Sequence, residues 1–235
     1  GFNAWLNLKA VHTLWLTNFL HDSYSGWGSK IWAYVHVGTN WTNARSNAGC
    51  LRFGDGWATD DIVGHEFTHS VDDFHGGLIY QWEFGALDES FADIFGFFAD
   101  PEDWFVAEDA PGGPLRSLAN PPQFGDPDKY SDFFNTDSDY GGVHTNSGIH
   151  NKAAYLLIAG GSHNGRTVQG IGIPKARRLF YELLTGGVGP THDDVTLVGI
   201  TRAFGVPMIR HPDLEARLRR HFADRGEALV RDGPV

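Results

Sequence analysis

Apolar residues recur at helical spacing near the start of the chain and then change to an alternating pattern. Residues 3–22 place leucine, valine and aromatic side chains three or four positions apart, which predicts a helix that ends at the turn-rich run SYSGWGS. Residues 30–38 alternate between two faces and predict a strand. Residues 48–56 predict a shorter strand that a Gly-Asp-Gly turn closes.

Two helices are predicted next, and they carry most of the candidate chemistry. The first spans about residues 60–74, where Asp60 and Asp61 suit a helix N-terminus through capping and the helix dipole. The glycine pair after His75 is expected to end it. The second helix spans about residues 85–99 and is strongly apolar apart from its acidic side chains.

The remainder of the chain is expected to be mostly helical after a long irregular stretch. Turn-forming residues dominate residues 100–142, which predicts loops of the kind that often carry function. The tail from Pro207 onward is expected to be helical and charged. Helical patterns precede this tail at about residues 144–160, 174–185 and 192–204.

Composition and charge narrow the classes of protein to which the chain can belong. Its 235 residues are 41% hydrophobic and 20% charged, which is typical of a globular chain with one large core or two modest lobes. The net charge is −11, and the basic run at residues 215–220 is expected to be a solvated helix face, so no nucleic-acid partner is expected. No apolar run approaches the roughly 18–20 residues that span a membrane, so no membrane partner is expected.

The single cysteine, Cys50, limits the metal and redox chemistry that is available. One cysteine allows no internal disulfide and no zinc site built on cysteine ligands. Its apolar neighbours predict a buried structural thiol.

The clearest chemical signal is the run His65-Glu66-Phe67-Thr68-His69. Two histidines four positions apart lie on one face of a helix, so both imidazoles can reach one zinc ion. Glu66 then lies beside the ion, which suits a carboxylate that activates the attacking water. The alternative, from these residues alone, is a pair of surface histidines with a solvated glutamate.

Two carboxylates on the next helix favour the metal site. Catalytic zinc sites take three protein ligands and keep one position open. Glu89 follows His69 by 20 residues, and Asp93 lies one helical turn beyond it. One carboxylate can bind the metal while the other accepts the free N–H of an imidazole ligand. The alternative is that these acids face solvent, but acids in so apolar a helix need partners.

Three separated motifs, HEFTH, GLIYQWEFGALDESFADIFG and GGVHTNSGIHNKAAY, follow in an order and spacing that resemble the thermolysin-like neutral metallopeptidases, the M4-type gluzincins. The resemblance covers roughly residues 40–205. It implies an α+β, zincin-like fold with a reduced N-terminal β lobe, a central zinc-binding helix and a mainly α-helical C-terminal lobe. The two lobes are expected at residues 1–75 and 76–235. The first is shorter than in typical family members, since only 64 residues precede His65.

The resemblance implies one catalytic zinc ion and assigns roles around it. Its ligands match His65, His69 and Glu89. The catalytic glutamate matches Glu66, while Asp93 is expected to orient the first histidine ligand and Asp88 to support the second. Tyr80 and His144 are expected to donate hydrogen bonds to the oxyanion that develops on the substrate, with Asp139 as the partner of His144.

The resemblance also implies residues that bind substrate. Arg116 is expected to hold a substrate carbonyl oxygen, and the pair Asn43-Ala44 to bind the substrate backbone at an edge strand. An apolar pocket is expected to receive the residue after the scissile bond, with Ile62, Val106, Ala110 and Leu115 as its lining. Calcium is a possible further ion, and the matching acids are Asp61, Asp103 and Glu108, with Asp100 as another candidate.

The function implied is that of a zinc-dependent endopeptidase that hydrolyses peptide bonds of proteins before bulky apolar residues, through attack of a zinc-bound water assisted by Glu66. One alternative is a peptidase-derived toxin or effector with a narrow protein target. Another is a zinc-bound recognition domain without catalysis, against which Glu66, Tyr80 and His144 argue. The expected partner is a protein or peptide substrate, the expected state is a monomer, and the expected location is outside the cell, with an exported effector as the alternative.

Overall fold

The first third of the chain folds as one long helix and a small sheet, and both pack against the predicted metal-binding helix. The computed structural model describes residues 1–75 and 77–186. The elements of the first third are α1 (Phe2–Phe19), β1 (Trp32–Tyr34), β2 (Ala44–Asn47), β3 (Cys50–Phe53) and α2 (Asp60–His75). The elements that follow are α3 (Trp82–Ala99), β4 (Phe105–Val106), β5 (Arg116–Ser117), α4 (Asp139–Ala159), β6 (Gly161–His163), β7 (Arg166–Val168) and α5 (Ile173–Thr185), with 3₁₀ turns at Pro121–Phe124 and Tyr130–Asp132.

The three-stranded sheet has the order β1-β3-β2, which leaves β2 at one edge. Strand β1 runs parallel to β3, and β2 runs antiparallel to it. Leu51 and Phe53 on β3 are buried, whereas Arg52 between them is partly exposed, as expected for a sheet with one face on a core. The hydroxyls of Ser46 on β2 and Ser70 on α2 lie 2.5 Å apart and join the edge strand to this helix.

An aromatic core joins α1 to the two central helices. Trp15 of α1 is fully buried, and its ring stacks on Phe95 of α3 at a centroid distance of 4.6 Å and lies 5.5 Å from Phe67 of α2. Burial of rings of this size is the largest apolar contribution a helix face can make, and offset contacts between the rings add to it. The first helix is therefore fixed against both α2 and α3.

Helices α2 and α3 approach one another closely because glycines lie where they cross. A Cβ added to Gly64 would lie 3.2 Å from the Cα of Gly96, and one added to Gly96 would lie 2.9 Å from the carbonyl oxygen of Asp61. A larger side chain at either position would push the helix axes apart. Because Gly64 immediately precedes His65, this close crossing brings α3 within reach of the predicted zinc ligands.

The α+β fold class predicted from the sequence is confirmed, and several element boundaries are corrected. The third long helix begins at Trp82 rather than near residue 85, whereas the right-handed part of α4 follows the left-handed residues up to Gly142 and so agrees with the predicted start near residue 144. The strand predicted over residues 30–38 is reduced to three exposed residues, whereas Ile31 and Val35 on either side of it are partly buried and pack against the core, on the face that the alternation indicates. Cys50 is partly exposed rather than buried, because it lies on the outer face of β3.

The predicted helix at residues 192–204, the charged tail from Pro207 and the basic run at residues 215–220 lie outside the described residues. Within the described residues, no helix has both the length and the apolar character that a membrane crossing needs.

Candidate metal centre and active site

The two histidines of α2 and the glutamate of α3 meet at one point. The Nε2 atoms of His65 and His69 lie 3.0 Å apart, and each lies 3.5 Å from one carboxylate oxygen of Glu89. The first pair is set by helical periodicity on α2, and the third group is supplied by the close crossing of α3. Among residues 1–75 and 77–186, this is the group of three potential ligands whose atoms lie within 4.8 Å of one another.

The outer nitrogens of both imidazoles are held by aspartates of α3. The Nδ1 of His65 lies 2.9 Å from Asp93, and the Nδ1 of His69 lies 2.9 Å from Asp88. A carboxylate can only accept, so each Nδ1 carries the proton and donates. The two Nε2 atoms and the Glu89 carboxylate then face one point at which a positive charge is favourable.

The charges of the cluster support a positive ion at this point. Burial would lower the pKa of His69, but the Asp88 and Glu89 carboxylates raise it well above its usual value. Burial likewise opposes ionisation of Glu89, yet His69 and His144 hold its pKa well below the usual range. The Oε2 atom of Glu89 is buried without a hydrogen-bond partner among the described residues. Two imidazoles and a carboxylate with a partner behind each imidazole form a donor set that suits zinc.

Asp93 is the centre of a buried hydrogen-bond network that fixes His65. Its carboxylate accepts from Nε and Nη2 of Arg116, at 2.9 and 2.6 Å, and from the amide of Asn151 on α4, at 2.8 Å. The amide oxygen of Asn151 in turn accepts from Ser90. Burial opposes the ionisation of Asp93, but Arg116 and His65 outweigh it and keep its pKa far below the usual range. Asp93 therefore stays an acceptor, and the ring of His65 cannot rotate freely.

Asn151 is a residue of this site that the sequence reasoning missed. It is fully buried, and it lies in the GGVHTNSGIHNKAAY motif seven residues after His144. The sequence feature that could have indicated its burial is its helical spacing from Ser147 and Ala154. Small residues on one face of a helix allow close packing against a neighbouring helix, so a polar residue on that face is buried. Buried amides need hydrogen-bond partners, and Asp93 and Ser90 supply them.

Glu66 lies beside the cluster without being one of the three convergent groups. Its side chain is buried, and burial raises its pKa while the nearby His65 and His69 rings oppose the rise. A carboxylate with a raised pKa in such a place is suited to taking up and releasing a proton. Glu66 is not among the three groups that converge, and its role beside a metal ion stays a prediction.

Tyr80 and His144 approach the same cluster from outside α2. The Tyr80 hydroxyl donates to Glu89, and burial together with the Glu89 carboxylate raises the pKa of Tyr80 far above its usual value, so the proton stays on the phenol. The Nε2 of His144 lies 3.4 Å from the Tyr80 hydroxyl and 3.3 Å from Glu89. Asp139 holds His144 twice, at its Nδ1 (2.8 Å) and at its backbone N–H (3.0 Å).

A left-handed turn at the start of α4 places His144. Four successive residues, Asp139 to Gly142, have positive φ angles between 51° and 95°. Two of them are glycines, for which this conformation carries no steric cost, whereas Asp139 and Tyr140 adopt it against the usual preference. The turn directs Asp139 back toward the helix it begins, and this allows it to bond His144 five residues later.

The residues predicted to bind substrate do not form one compact group as the predicted zinc ligands do. Asn43 is exposed at the start of edge strand β2, and its side-chain oxygen accepts from the N–H of Ala44. The three apolar residues Ile62, Val106 and Ala110 belong to the hydrophobic core. Leu115, by contrast, is 46% exposed. Two cavities of about 630 and 450 Å³ lie elsewhere, and none of the predicted pocket residues lines either of them.

Strands β4 and β5 connect the predicted pocket to the metal centre. Val106 and Arg116 are cross-strand partners in this short antiparallel pair, and the N–H of Leu115 donates to the carbonyl of Val106. Arg116 therefore reaches Asp93 from the same hairpin that carries Val106.

The acids predicted as calcium ligands lie near one another but do not converge. Asp61 accepts from the backbone N–H groups of Ile62 and Ala107, and Asp103 accepts from that of Phe105. Burial and these two carboxylates raise the pKa of Glu108 to about 8. Within the described part of the chain, these acids do not form a group of three whose oxygens lie within 4.8 Å of one another.

Comparisons with known proteins agree with this geometry. The family model for the thermolysin metallopeptidase catalytic domain matches residues 1–73, and the model for its alpha-helical domain matches residues 76–194. Neutral protease B from Bacillus subtilis (strain 168) is 44% identical over 196 residues, which cover 78% of this chain and 36% of that protein. Bacillolysin from Brevibacillus brevis is 45% identical over 182 residues, which cover 72% and 34%. The chain thus spans about a third of the length of these curated relatives.

A solved structure shares the fold. The precursor of protealysin, a metalloproteinase from Serratia proteamaculans, superposes with a TM-score of 0.70 at 26% sequence identity. The match covers 96% of this chain and 78% of the other.

Proposed function

Because the chain belongs to the thermolysin family of metallopeptidases, we propose that it is a zinc-dependent endopeptidase that hydrolyses peptide bonds of proteins. The observation that carries the proposal is the convergence of His65, His69 and Glu89, with an oriented aspartate behind each imidazole. Zinc bound by these residues would polarise the scissile carbonyl and lower the pKa of a water molecule. Proton transfer, oxyanion stabilisation and substrate binding are assigned to side chains of the protein.

Glu66 is proposed as the general base and later as the general acid. It would accept the proton of the attacking water and deliver it to the nitrogen of the leaving amine. Its burial supports this role, because a carboxylate with a raised pKa gives up a proton less readily than a solvated one and holds it until the amine needs it. The nearby imidazoles keep it able to ionise, since they oppose the effect of burial.

Tyr80 and His144 are proposed to donate hydrogen bonds to the oxyanion of the tetrahedral intermediate. Their donor atoms lie 3.4 Å apart, so both can face the same substrate oxygen. Because the Asp139 carboxylate accepts at Nδ1, His144 can donate from Nε2 only when both ring nitrogens carry protons, and the negative charge of Asp139 favours that form. The bond from Tyr80 to Glu89 shows that the phenol already points at the cluster.

Arg116 is proposed to act on both the metal centre and the substrate. Two of its nitrogens bond Asp93, and the guanidinium has five N–H donors in all, so donors are left for a substrate carbonyl oxygen. Asn43 and Ala44 are proposed to bind the substrate backbone at the free edge of β2. Edge strands present unpaired N–H and C=O groups that an extended peptide can use.

Cleavage before bulky apolar residues is the proposed specificity, and a cleavage map tests it. A denatured protein of known sequence, digested by the zinc-loaded chain, should yield new N-termini at leucine, isoleucine, valine and phenylalanine. The reason is that the expected lining is apolar: Ile62, Val106 and Ala110 lie in the hydrophobic core, and Val106 is the cross-strand partner of Arg116. The measurement is peptide mass spectrometry of early digestion products, with the Glu66→Gln variant as the blank.

The same experiment separates the proposal from its alternatives. New termini dominated by acidic or basic residues would contradict the apolar pocket and leave the endopeptidase assignment intact. An absence of cleavage in general substrates, together with cleavage of one partner protein, would favour an effector with a narrow target. An absence of any cleavage by protein that holds zinc would favour a recognition domain.

The pH dependence of kcat/KM is expected to report Glu66. The base must be ionised, so activity is expected to fall as the pH drops through the pKa of Glu66, which burial raises and the His65 and His69 imidazoles lower. Asp126 is the rival group, since burial raises its pKa to about 6 in the neighbourhood of Arg116 and His144. The acid limb should therefore be unchanged in Asp126→Asn at saturating zinc. Loss of the limb in that variant would assign it to Asp126.

The remaining properties are proposals as well. A monomer that acts outside the cell on protein or peptide substrates fits the proposed activity. Calcium binding at Asp61, Asp103 and Glu108 is proposed only with rearrangement of these side chains, because Asp61 already accepts hydrogen bonds at both oxygens.

A further inference from the structure

Asp72 is a buried aspartate on α2 that the proposed mechanism does not use. It lies three residues beyond His69 and is only 3% exposed. Burial, together with the nearby Asp88 carboxylate, raises its pKa to about 7. Its neighbour Asp73 is exposed and bonds the backbone N–H of Ala48 instead, so the two adjacent aspartates have different surroundings. A buried carboxyl of this kind needs a structural reason.

Asp72 holds the segment that follows α2. Its Oδ2 accepts the backbone N–H of Leu78 at 2.9 Å, and its backbone carbonyl accepts the N–H of Gly77 at 2.8 Å. Gly77 has a φ of +58°, a left-handed conformation that lets the chain turn back toward the helix end. Leu78 is itself buried in the hydrophobic core, so its N–H has little access to water.

The segment held in this way delivers Tyr80 to the metal cluster. Leu78 precedes Tyr80 by two residues, and the backbone of Tyr80 packs on Gly85 of α3, where an added Cβ would lie 2.9 Å from the Tyr80 carbonyl carbon. The position of the phenol is therefore defined by α3 on one side and by Asp72 on the other. Its hydroxyl donates to Glu89, so a small shift of the segment would change where that donor points.

We propose that Asp72 is a positioning residue that holds residues 77–80, and through them the Tyr80 hydroxyl, in the place required for oxyanion stabilisation. The inference rests on the proposed function, because it assigns Asp72 an effect on a step in which Tyr80 takes part. Without the acceptor, the buried N–H of Leu78 would be left unpaired, which favours displacement of the segment toward water. Misplacement of a catalytic donor by about 1 Å can cost a factor of 10² in rate.

The test is a double-mutant cycle in the full chain loaded with zinc. Asp72→Ala is expected to lower kcat by about 10- to 100-fold with little change in KM. Asp72→Asn should retain most of kcat, because the amide oxygen still accepts from Leu78. In a Tyr80→Phe background, Asp72→Ala should lower kcat by less than about twofold, because the donor it positions is already gone. Asp73→Asn is the matched control and should leave kcat unchanged.

Amide hydrogen exchange supplies a readout that does not depend on activity. Exchange at Leu78 should be slow in the wild-type protein and in Asp72→Asn and faster in Asp72→Ala. An equal loss of kcat in both Tyr80 backgrounds, or a wild-type exchange rate at Leu78 as fast as in Asp72→Ala, would overturn the proposal for Asp72. Equal turnover of the wild-type protein and Tyr80→Phe would instead contradict the proposed role of Tyr80, whatever the exchange data show.

Discussion

Replacing Glu66 by glutamine is expected to lower kcat by about 10²- to 10⁴-fold while the zinc content stays near that of the wild-type protein. Glutamine has nearly the shape of glutamate but no basic oxygen, so it cannot take the proton of the attacking water. Glu66 lies close enough to His65 and His69 for their charges to influence its pKa, yet it is not one of the convergent ligand groups. Metal analysis and a quenched-peptide assay on the same preparation measure the two quantities.

The zinc content of the Glu66→Gln variant decides how a loss of its activity is interpreted. Glu102→Gln, an exposed change of the same chemical kind, is the control and should leave both quantities unchanged. If Glu66→Gln turned over substrate as fast as the wild-type protein, Glu66 would have no part in proton transfer. If zinc were lost together with activity, Glu66 would belong to the metal-binding set, and the base would have to be sought elsewhere.

Much of the metal centre was accessible from the sequence because its parts are local. His65 and His69 are separated by one helical turn, and Glu89 and Asp93 by another, so each pair lies on one face wherever its helix lies. Placing both pairs correctly required only that two helices form, and both are present. What joins them is the crossing of the helices at Gly64 and Gly96, which no spacing in the sequence indicates.

The parts that escaped prediction depend on contacts between distant segments or on unusual backbone. Asn151 reaches Asp93 across 58 residues, and the burial of Asp72 becomes evident only once Leu78 turns back onto it. The strand at residues 30–38 was predicted only in part, because its three hydrogen-bonded residues are exposed and only its neighbours Ile31 and Val35 keep the inward face of the alternation. The left-handed turn that precedes the regular part of α4 also escaped, since Tyr140 adopts a left-handed conformation that propensity disfavours.

The hairpin of β4 and β5 couples two properties that are usually considered separately. Val106 belongs to the proposed specificity pocket, and its cross-strand partner Arg116 fixes Asp93, which in turn orients His65. A change of pocket shape that moves β4 would therefore alter the orientation of the ligand His65 through three successive contacts. Alterations of specificity at Val106 should be judged by kcat and zinc affinity as well as by the cleavage map.

Replacing Glu89 by alanine is expected to abolish both stable zinc binding and detectable turnover. Two imidazoles alone leave the ion with fewer than the three protein ligands that catalytic zinc sites use. Glu89 is 1% exposed, and it also accepts from Tyr80, so its removal leaves a cavity that water fills instead of a carboxylate. The measurement is zinc stoichiometry after dialysis, followed by turnover with and without added zinc.

Chelation of the wild-type protein separates loss of metal from loss of structure in this variant. A strong chelator should reduce wild-type turnover to the level of Glu89→Ala, and added zinc should restore the wild-type protein but not the variant, because only the former has its third ligand. Glu83→Ala is the matched control, since Glu83 lies on the same helix but is exposed, and it should retain one zinc per chain. Turnover that survives strong chelation would refute the zinc mechanism, and a Glu89→Ala protein that keeps a full equivalent of zinc would show that the third ligand is another group.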